Sequence, residues 1–262
     1  MSDLPLVSII TPSFNQARFL DESIQSVLSQ DYPHLEYIIV DGASTDGSVE
    51  IIRHYASQLS WWVSAPDQGQ TDAINKGFAH ANGEILAWIN SDDTYLPGTV
   101  SEAVKFLIAH PEAALVYANA NLIDEQGSVL GRFPAQQTSL TKLLHGSVHI
   151  PQQTTFFWAR LWRKVGPLDP TFQFAMDYDL WVRLAKLAPL VYTPQLWANF
   201  RLHGEGKSET LDNRCYPEMI QVYRREGGGR ISWLAVRWFF RRILYAWLPL
   251  PLRLRLRQIF SH

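Results

Sequence analysis

Two adjacent carboxylates, Asp92 and Asp93, follow the short apolar run Ile85-Leu86-Ala87-Trp88-Ile89 and stand just before a Pro97-Gly98 break. A buried strand that ends in two acids delivers oxygen donors to one edge of a sheet. Mg²⁺ and Mn²⁺ are hard cations that take such oxygens, and their sites commonly combine one or two carboxylates with substrate phosphates. The same pair also suits a turn that caps the following helix. Asp41 ends a second apolar run and is placed either to accept from a base or ribose hydroxyl or to cap a turn. Asp177 opens the helical pattern Met176-Asp177-Tyr178-Asp179-Leu180-Trp181, where an acid either takes a proton or complements the helix dipole. His203 lies in a polar loop, and a neutral imidazole there is a ligand for Mn²⁺, a partner for a diphosphate, or a surface residue. No Gly-x-Gly-x-x-Gly and no phosphate-binding Gly-Lys-Ser/Thr loop is present. A bound phosphate must then be neutralised another way, and a cation at Asp93 is the candidate.

The elements that must position these groups alternate. Leu6 to Thr11 is a β-branched strand halted by Pro12, and Ser13-Phe14-Asn15-Gln16 is the loop after it. Leu20, Ile24, Val27 and Leu28 recur at helical spacing. Tyr37 to Val40 is a second strand, Ser48 to Tyr55 a helix, Trp61 to Val63 a third strand, and the next helix carries Ala73, Ile74, Gly77, Phe78 and Ala81. Strand and helix in alternation predict right-handed βαβ units, an α/β fold and a mostly parallel central sheet flanked by helices. Ligands of such sheets gather at the carboxyl ends of the strands, where Thr11 to Asn15, Asp41 and Asp92-Asp93 would converge. After residue 98 the pattern predicts strands at Ala114–Tyr117, Thr154–Trp158, Val191–Tyr192 and Leu196–Arg201. It also predicts a hairpin around Glu125-Gln126-Gly127 and a short helix over Ser139–Leu144.

With 262 residues, 47% of them apolar and 18% charged, the chain can bury a large core and is not of disordered composition. The net charge of −2 hides an asymmetry: Arg230 to His262 holds seven Arg and no acid. The single cysteine, Cys215, excludes an intrachain disulfide and suits a reducing compartment. The first residues lack the basic start and long apolar core of a signal peptide.

Taken together, Val7-Ser8-Ile9-Ile10-Thr11-Pro12-Ser13-Phe14-Asn15, Ile39 to Gly47, Asp67 through Glu84, Asn90-Ser91-Asp92-Asp93, Met176 to Trp181 and Arg201-Leu202-His203 resemble, in order, the motifs of family 2 glycosyltransferases of bacterial surface-polysaccharide type, with the GT-A fold. The resemblance covers about Leu6 to Ser208. It implies an inverting transfer of a sugar from a nucleotide-diphosphate donor, of uridine type, to an acceptor hydroxyl. Asp41 would hold the base, with Pro12, Phe14 and Asn15 lining its pocket, and Asp72 and Asn75 would lie near the donor. Asp93 and His203 would coordinate Mn²⁺ or Mg²⁺, Asp92 would contact ribose or donor sugar, and Asp177 would be the general base. Two positions depart from the pattern: Asn90 stands where the Asp-x-Asp form has its first acid, and Met176 replaces the Glu of Glu-Asp. The second leaves Asp177 and Asp179 both open as the base. Trp158, Trp181 and Trp197 are either sugar platforms or core residues. The donor half would span residues 1–98 and the acceptor half 99–225.

Residues 226–262 form a basic, aromatic tail. Its longest Arg-free run, Ile243 to Leu252, has ten residues and two prolines, too short for a span. Arg and aromatics over 231–260 predict an amphipathic helix lying on an anionic membrane surface, or one packed on the domain or on a second copy. With a lipid-linked or growing glycan as acceptor, the expected location is the inner face of the cytoplasmic membrane. A basic excess confined to the tail argues against nucleic acid as a partner. The alternatives are an inactive nucleotide-sugar or carbohydrate binder, and a sugar-nucleotide pyrophosphorylase. The latter would need a Gly-rich basic N-terminal loop, which Thr11 to Asn15 is not.

Overall fold

The computed structural model describes residues 4–204, 211–229, 233–236 and 239. The first half follows the predicted alternation. β1 (Val7–Ser13), α1 (Ala17–Leu28), β2 (Leu35–Asp41), α2 (Ser48–His54), β3 (Trp61–Ser64), α3 (Gln70–His80) and β4 (Ile85–Trp88) succeed one another. Strands β3, β2, β1 and β4 lie side by side and all parallel. Side chains alternate across β1 and β4. Val7, Ile9, Ile85 and Ala87 pack with Leu20, Ile24 and Val27 of α1 on one face, while Ile10, Leu86 and Trp88 pack with Ala73, Ile74 and Phe78 of α3 on the other. Burial on both faces is why these strands read as unbroken apolar runs.

The second half comprises β5 (Thr94–Tyr95), α4 (Thr99–Ala109), β6 (Leu115–Ile123), β7 (Val129–Arg132), α5 (Leu140–Leu144), β8 (Phe156–Trp158), α6 (Ala159–Val165), α7 (Met176–Ala185), β9 (Leu190–Arg201) and α8 (Leu211–Arg225). The sheet continues from β4 through β8, β6 and β9 to β5, with β7 on β6. Here the expected mostly parallel sheet becomes mixed: β8 is antiparallel to both β4 and β6, and β5 and β7 are also antiparallel to their neighbours. In this half the one parallel pair among the described strands, β6 and β9, is separated in sequence by β7 and β8, and β8 enters between β4 and β6 in the opposite direction.

Two expected strands in this half merge. Val191–Tyr192 and Leu196–Arg201 are parts of the single strand β9, parallel to β6, with its register shifting opposite Tyr117 to Ala120. That irregularity absorbs Pro194, whose carbonyl accepts from Asn119 Nδ2 at 2.8 Å. Strand β5 was not legible, because two residues carry no period.

Gly83 shows how tightly β1 and the entry to β4 approach. A Cβ there would lie 2.5 Å from Ser8 Oγ, 2.7 Å from the Ser8 nitrogen and 2.9 Å from the Ile85 carbonyl. Two of the three are backbone atoms, which cannot move aside. The Gly83 N–H also donates to Ser8 Oγ at 2.8 Å, and that hydroxyl donates to Glu36, which accepts from the Asn82 N–H and amide at 2.8 Å each. Gly83→Ala is expected to cost about 1–3 kcal/mol, lowering the thermal midpoint by about 3–10 °C in a calorimetric scan.

Candidate active site

Four loops meet at the carboxyl edge of the sheet. The β1 and β2 loops are stitched together: the Asn15 N–H donates to Ser44 Oγ at 2.8 Å and the Thr45 N–H to Asn15 Oδ1 at 2.9 Å. Asn15 and Ala43 both sit at positive φ, 52° and 64°. These are the two non-glycine residues so placed among those described, and such strain gathers at functional loops. Pro12 is buried, whereas the Phe14 ring is 60% exposed and forms an aromatic face at the rim. A Cβ on Gly42 would come within 3.2 Å of both Asp67 carboxylate oxygens and of the Phe14 ring, so the missing side chain leaves a niche between them.

Asp41 ends β2 as expected, but it is fully buried. Its carboxylate accepts from the Ser44 N–H at 2.9 Å, Ser44 Oγ at 2.5 Å and Ser64 Oγ at 2.7 Å. A carboxylate offers about four lone-pair sites, so most of its capacity is spent holding the β2 and β3 ends. Asp72 and Asn75, expected near the donor, have other partners. Asp72 caps the Gln68 N–H at 3.1 Å and pairs with Lys76 at 2.8 Å; that lysine holds its carboxyl below the usual range. Asn75 brackets Leu168, donating to its carbonyl and accepting from its N–H at 2.9 Å each.

The two acids after β4, of which Asp93 was expected to hold the cation, sit in different surroundings. Asp93 is 1% exposed, with Oδ1 accepting from the Arg201 N–H at 2.9 Å and Oδ2 facing Asn90 Nδ2 at 3.4 Å. Burial pushes its carboxyl well above the usual range and the neighbouring Asp92 charge adds to this, against the pull of the Arg201 and Asn90 hydrogen bonds. Asp92 is partly exposed, its side chain at 21%, and its Oδ2 meets His203 Nε2 at 3.0 Å. The imidazole is buried against the Phe19 ring, centroids 4.8 Å apart. A carboxylate and an imidazole nitrogen in contact form a mixed O/N donor pair of the kind Mn²⁺ accepts. Among the described residues no third His, Cys, Asp or Glu joins them, so this pair would leave most of a coordination shell to other ligands.

Beneath that pair lies Arg201, which the sequence placed in a strand without a role. Its side chain is 1% exposed; it donates to the Asp92 carbonyl at 2.9 Å and the Asp124 carbonyl at 3.1 Å, pairs with Glu22 at 2.5 Å, and stacks over Phe19 at 4.9 Å. One buried guanidinium thus fixes the Asp92 backbone, the β6–β7 turn and α1 in a single arrangement. Gln70 at the start of α3 extends the network by donating to Asn90 Oδ1 at 2.7 Å.

Asp177 and Asp179, both open as the base, differ in accessibility. Asp179 is fully buried and clamped by Arg183, at 2.9 Å from both Nε and Nη2, and by Arg225. Asp177 is only half-buried in the first turn of α7, with Oδ1 accepting from the Tyr178 N–H at 2.6 Å. Trp181 and Trp197 are 2% and 1% exposed and belong to the core rather than to any sugar platform. Trp158 is half-buried beneath the Arg160 guanidinium.

Comparison with known proteins agrees with this geometry. The family model described as glycosyl transferase family 2 matches residues 8–157. An uncharacterized glycosyltransferase of Mycobacterium tuberculosis is 33% identical over 240 residues, covering 88% of this chain and 90% of that protein. A putative teichuronic acid biosynthesis glycosyltransferase, TuaG of Bacillus subtilis, is 32% identical over 140 residues, 52% of this chain and 55% of its own length. An uncharacterized glycosyltransferase of Rickettsia felis is 29% identical over 220 residues, and there the chain spans only 36% of the relative's length. Among solved structures, S. aureus TarS in complex with UDP-GlcNAc superposes with a TM-score of 0.68 at 17% identity, over 87% of this chain and 68% of that one. The mannosyltransferase PcManGT of Pyrobaculum calidifontis, in complex with GDP-Man and Mn²⁺, superposes at 0.67 and 20% identity, over 99% and 81%. The fold is therefore GT-A, and with the family model matching more than half its length the chain belongs to glycosyl transferase family 2.

Proposed function

We propose that the chain is an inverting glycosyltransferase that moves a sugar from a nucleotide-diphosphate donor, of uridine type, to an acceptor hydroxyl on a lipid-linked or growing surface glycan. The observation that carries this reading is the Asp92–His203 contact, made between residues 111 apart in sequence over a buried arginine. Asp92 and His203 would hold a divalent cation, Mn²⁺ or Mg²⁺, with donor phosphate oxygens and water completing its shell. When bound, that cation supplies charge stabilisation for the departing diphosphate. On this reading Asp93, expected as a ligand from the resemblance, would support the site by accepting from the Arg201 N–H.

Asp177 accepts the proton of the acceptor hydroxyl. The freed oxygen attacks the anomeric carbon, the bond from that carbon to the diphosphate oxygen breaks, and the nucleoside diphosphate leaves. Residues 1–98 form the donor half and 99–225 the acceptor half. Phe14 is the stacking face for the base, with Pro12, Asn15 and Asp41 shaping the loops around it. TarS with UDP-GlcNAc and PcManGT with GDP-Man and Mn²⁺ support a nucleotide-sugar donor and a cation, and the name of TuaG supports a surface polysaccharide as product.

The basic aromatic segment 231–260 would rest on anionic lipid at the inner face of the cytoplasmic membrane. Apart from 233–236 and 239 it lies outside the described residues, among which no helix is long and apolar enough to cross a membrane.

The test is nucleotide release from UDP-, GDP- and dTDP-sugars with Mn²⁺, Mg²⁺ or EDTA. One donor is expected to turn over, and EDTA to stop it. No binding of any nucleotide sugar would overturn the reading, and binding without release to any glycan acceptor would leave the binder as the correct one. Phe14→Ala is expected to weaken nucleoside diphosphate binding about tenfold by calorimetry, the worth of one base–aromatic stack.

A further inference from the structure

Helix α7 carries Asp177 yet starts poorly. Its N-cap is Ala175, which offers no side-chain acceptor to the first turn. Helix starts leave backbone N–H groups needing partners, and a helix that must present a reacting carboxylate needs its first turn held still. The backbone that leads into α7 is held instead from a different helix. Glu218 of α8 takes three successive backbone N–H groups just before the helix: Gln173 at 3.1 Å onto Oε1, and Phe174 and Ala175 at 2.8 Å each onto Oε2. Charge-assisted bonds of this kind are among the stronger hydrogen bonds in proteins.

The same loop is gripped on its other side by α3. Thr71 Oγ1 donates to the Phe172 carbonyl at 3.1 Å, and Asn75 brackets Leu168. Further along, α8 is fastened to α7 independently through Arg225 to Asp179, and just past the two helices Glu226 pairs with Lys186 at 2.7 Å. Glu218 therefore is not needed to dock α8; its three bonds act only on residues 173–175, one residue short of Met176 and two short of Asp177.

We propose that Glu218 is a positioning residue for the transfer step: it caps α7 from α8 and so sets where the Asp177 carboxylate stands relative to the acceptor hydroxyl. This rests on the reading of Asp177 as the base. It assigns a part in the reaction to the helix immediately before the basic tail, a helix beyond the residues 8–157 matched by the family model.

The experiment compares wild type, Glu218→Gln, Glu218→Asp and Asp177→Asn. It reads kcat, donor KM, thermal midpoint and amide hydrogen exchange at residues 173–175. Glu218→Gln replaces one acceptor oxygen with an amide NH₂, a donor that would face N–H donors. It is expected to lower kcat about tenfold to a hundredfold, the usual result of displacing a reacting group by an ångström or less. Donor KM should stay within about twofold, because the donor half is untouched, and exchange at 173–175 should speed up. Glu218→Asp keeps the charge but retracts it by one methylene, and should fall between; it replaces Glu218→Gln if that variant does not fold. Unchanged kcat in a folded variant with faster exchange would overturn the proposal, as would a kcat loss matched by loss of donor binding. If Asp177→Asn keeps wild-type turnover, the base assignment itself fails, a result read separately from the Glu218 variants.

Discussion

Asp177→Asn should lower kcat by about a hundredfold to ten-thousandfold while leaving nucleotide-sugar affinity within about twofold, the signature of a lost general base. The asparagine keeps the shape and can still accept from the Tyr178 N–H, so the first turn of α7 and the thermal midpoint should hold. Only the ability to take a proton is removed. Asp179→Asn should behave differently. It would leave Arg183 and Arg225 facing a neutral amide in a fully buried position, and breaking a buried pair from one side costs about 3–5 kcal/mol. Steady-state kinetics with a donor panel, run beside thermal melts, separates the two: Asp177→Asn folded and inactive, Asp179→Asn destabilised. A folded, inactive Asp179→Asn beside an active Asp177→Asn would reverse the assignment.

The second large effect distinguishes the neighbouring acids after β4. Asp92→Asn should abolish Mn²⁺-dependent turnover and weaken Mn²⁺ binding by tenfold or more, about the worth of a ligand or its close support. Asp93→Asn should keep most of both. Asp93 is buried, its carboxyl is pushed up by that burial and by Asp92, and an amide oxygen in its place can still accept from the Arg201 N–H. The isostere keeps the Oδ1 bond that holds the Arg201 backbone, so the setting of Asp92 and His203 is preserved. Mn²⁺ binding followed by calorimetry or electron paramagnetic resonance decides the matter without turnover. Equal loss in both variants would restore Asp93 as a ligand.

The parallel half of this protein was readable in its residues. β-Branched runs at Val7–Thr11 and Tyr37–Val40, and helical spacing at Leu20–Leu28, follow from burial on two sheet faces and one helix face, which are local periodicities. For the same reason the chain's family was legible: its motifs are short segments at strand ends. The division of labour within those motifs was not. Asp92 and Asp93 are adjacent and chemically alike, and only β9, arriving about a hundred residues later, buries one under the Arg201 backbone and turns the other toward His203. The bracket that Asn75 makes around Leu168 could not be read from its helix, and neither could the clamp of Arg183 and Arg225 on Asp179. Glu218 carried no signal at all, because a cap supplied from another helix leaves no spacing to read. Sequence alone determined which residue types reach the carboxyl edge of the sheet. Tertiary structure decided which of them are spent on buried hydrogen bonds and which still face outward, because a carboxylate has few lone pairs and its partners come from anywhere in the chain.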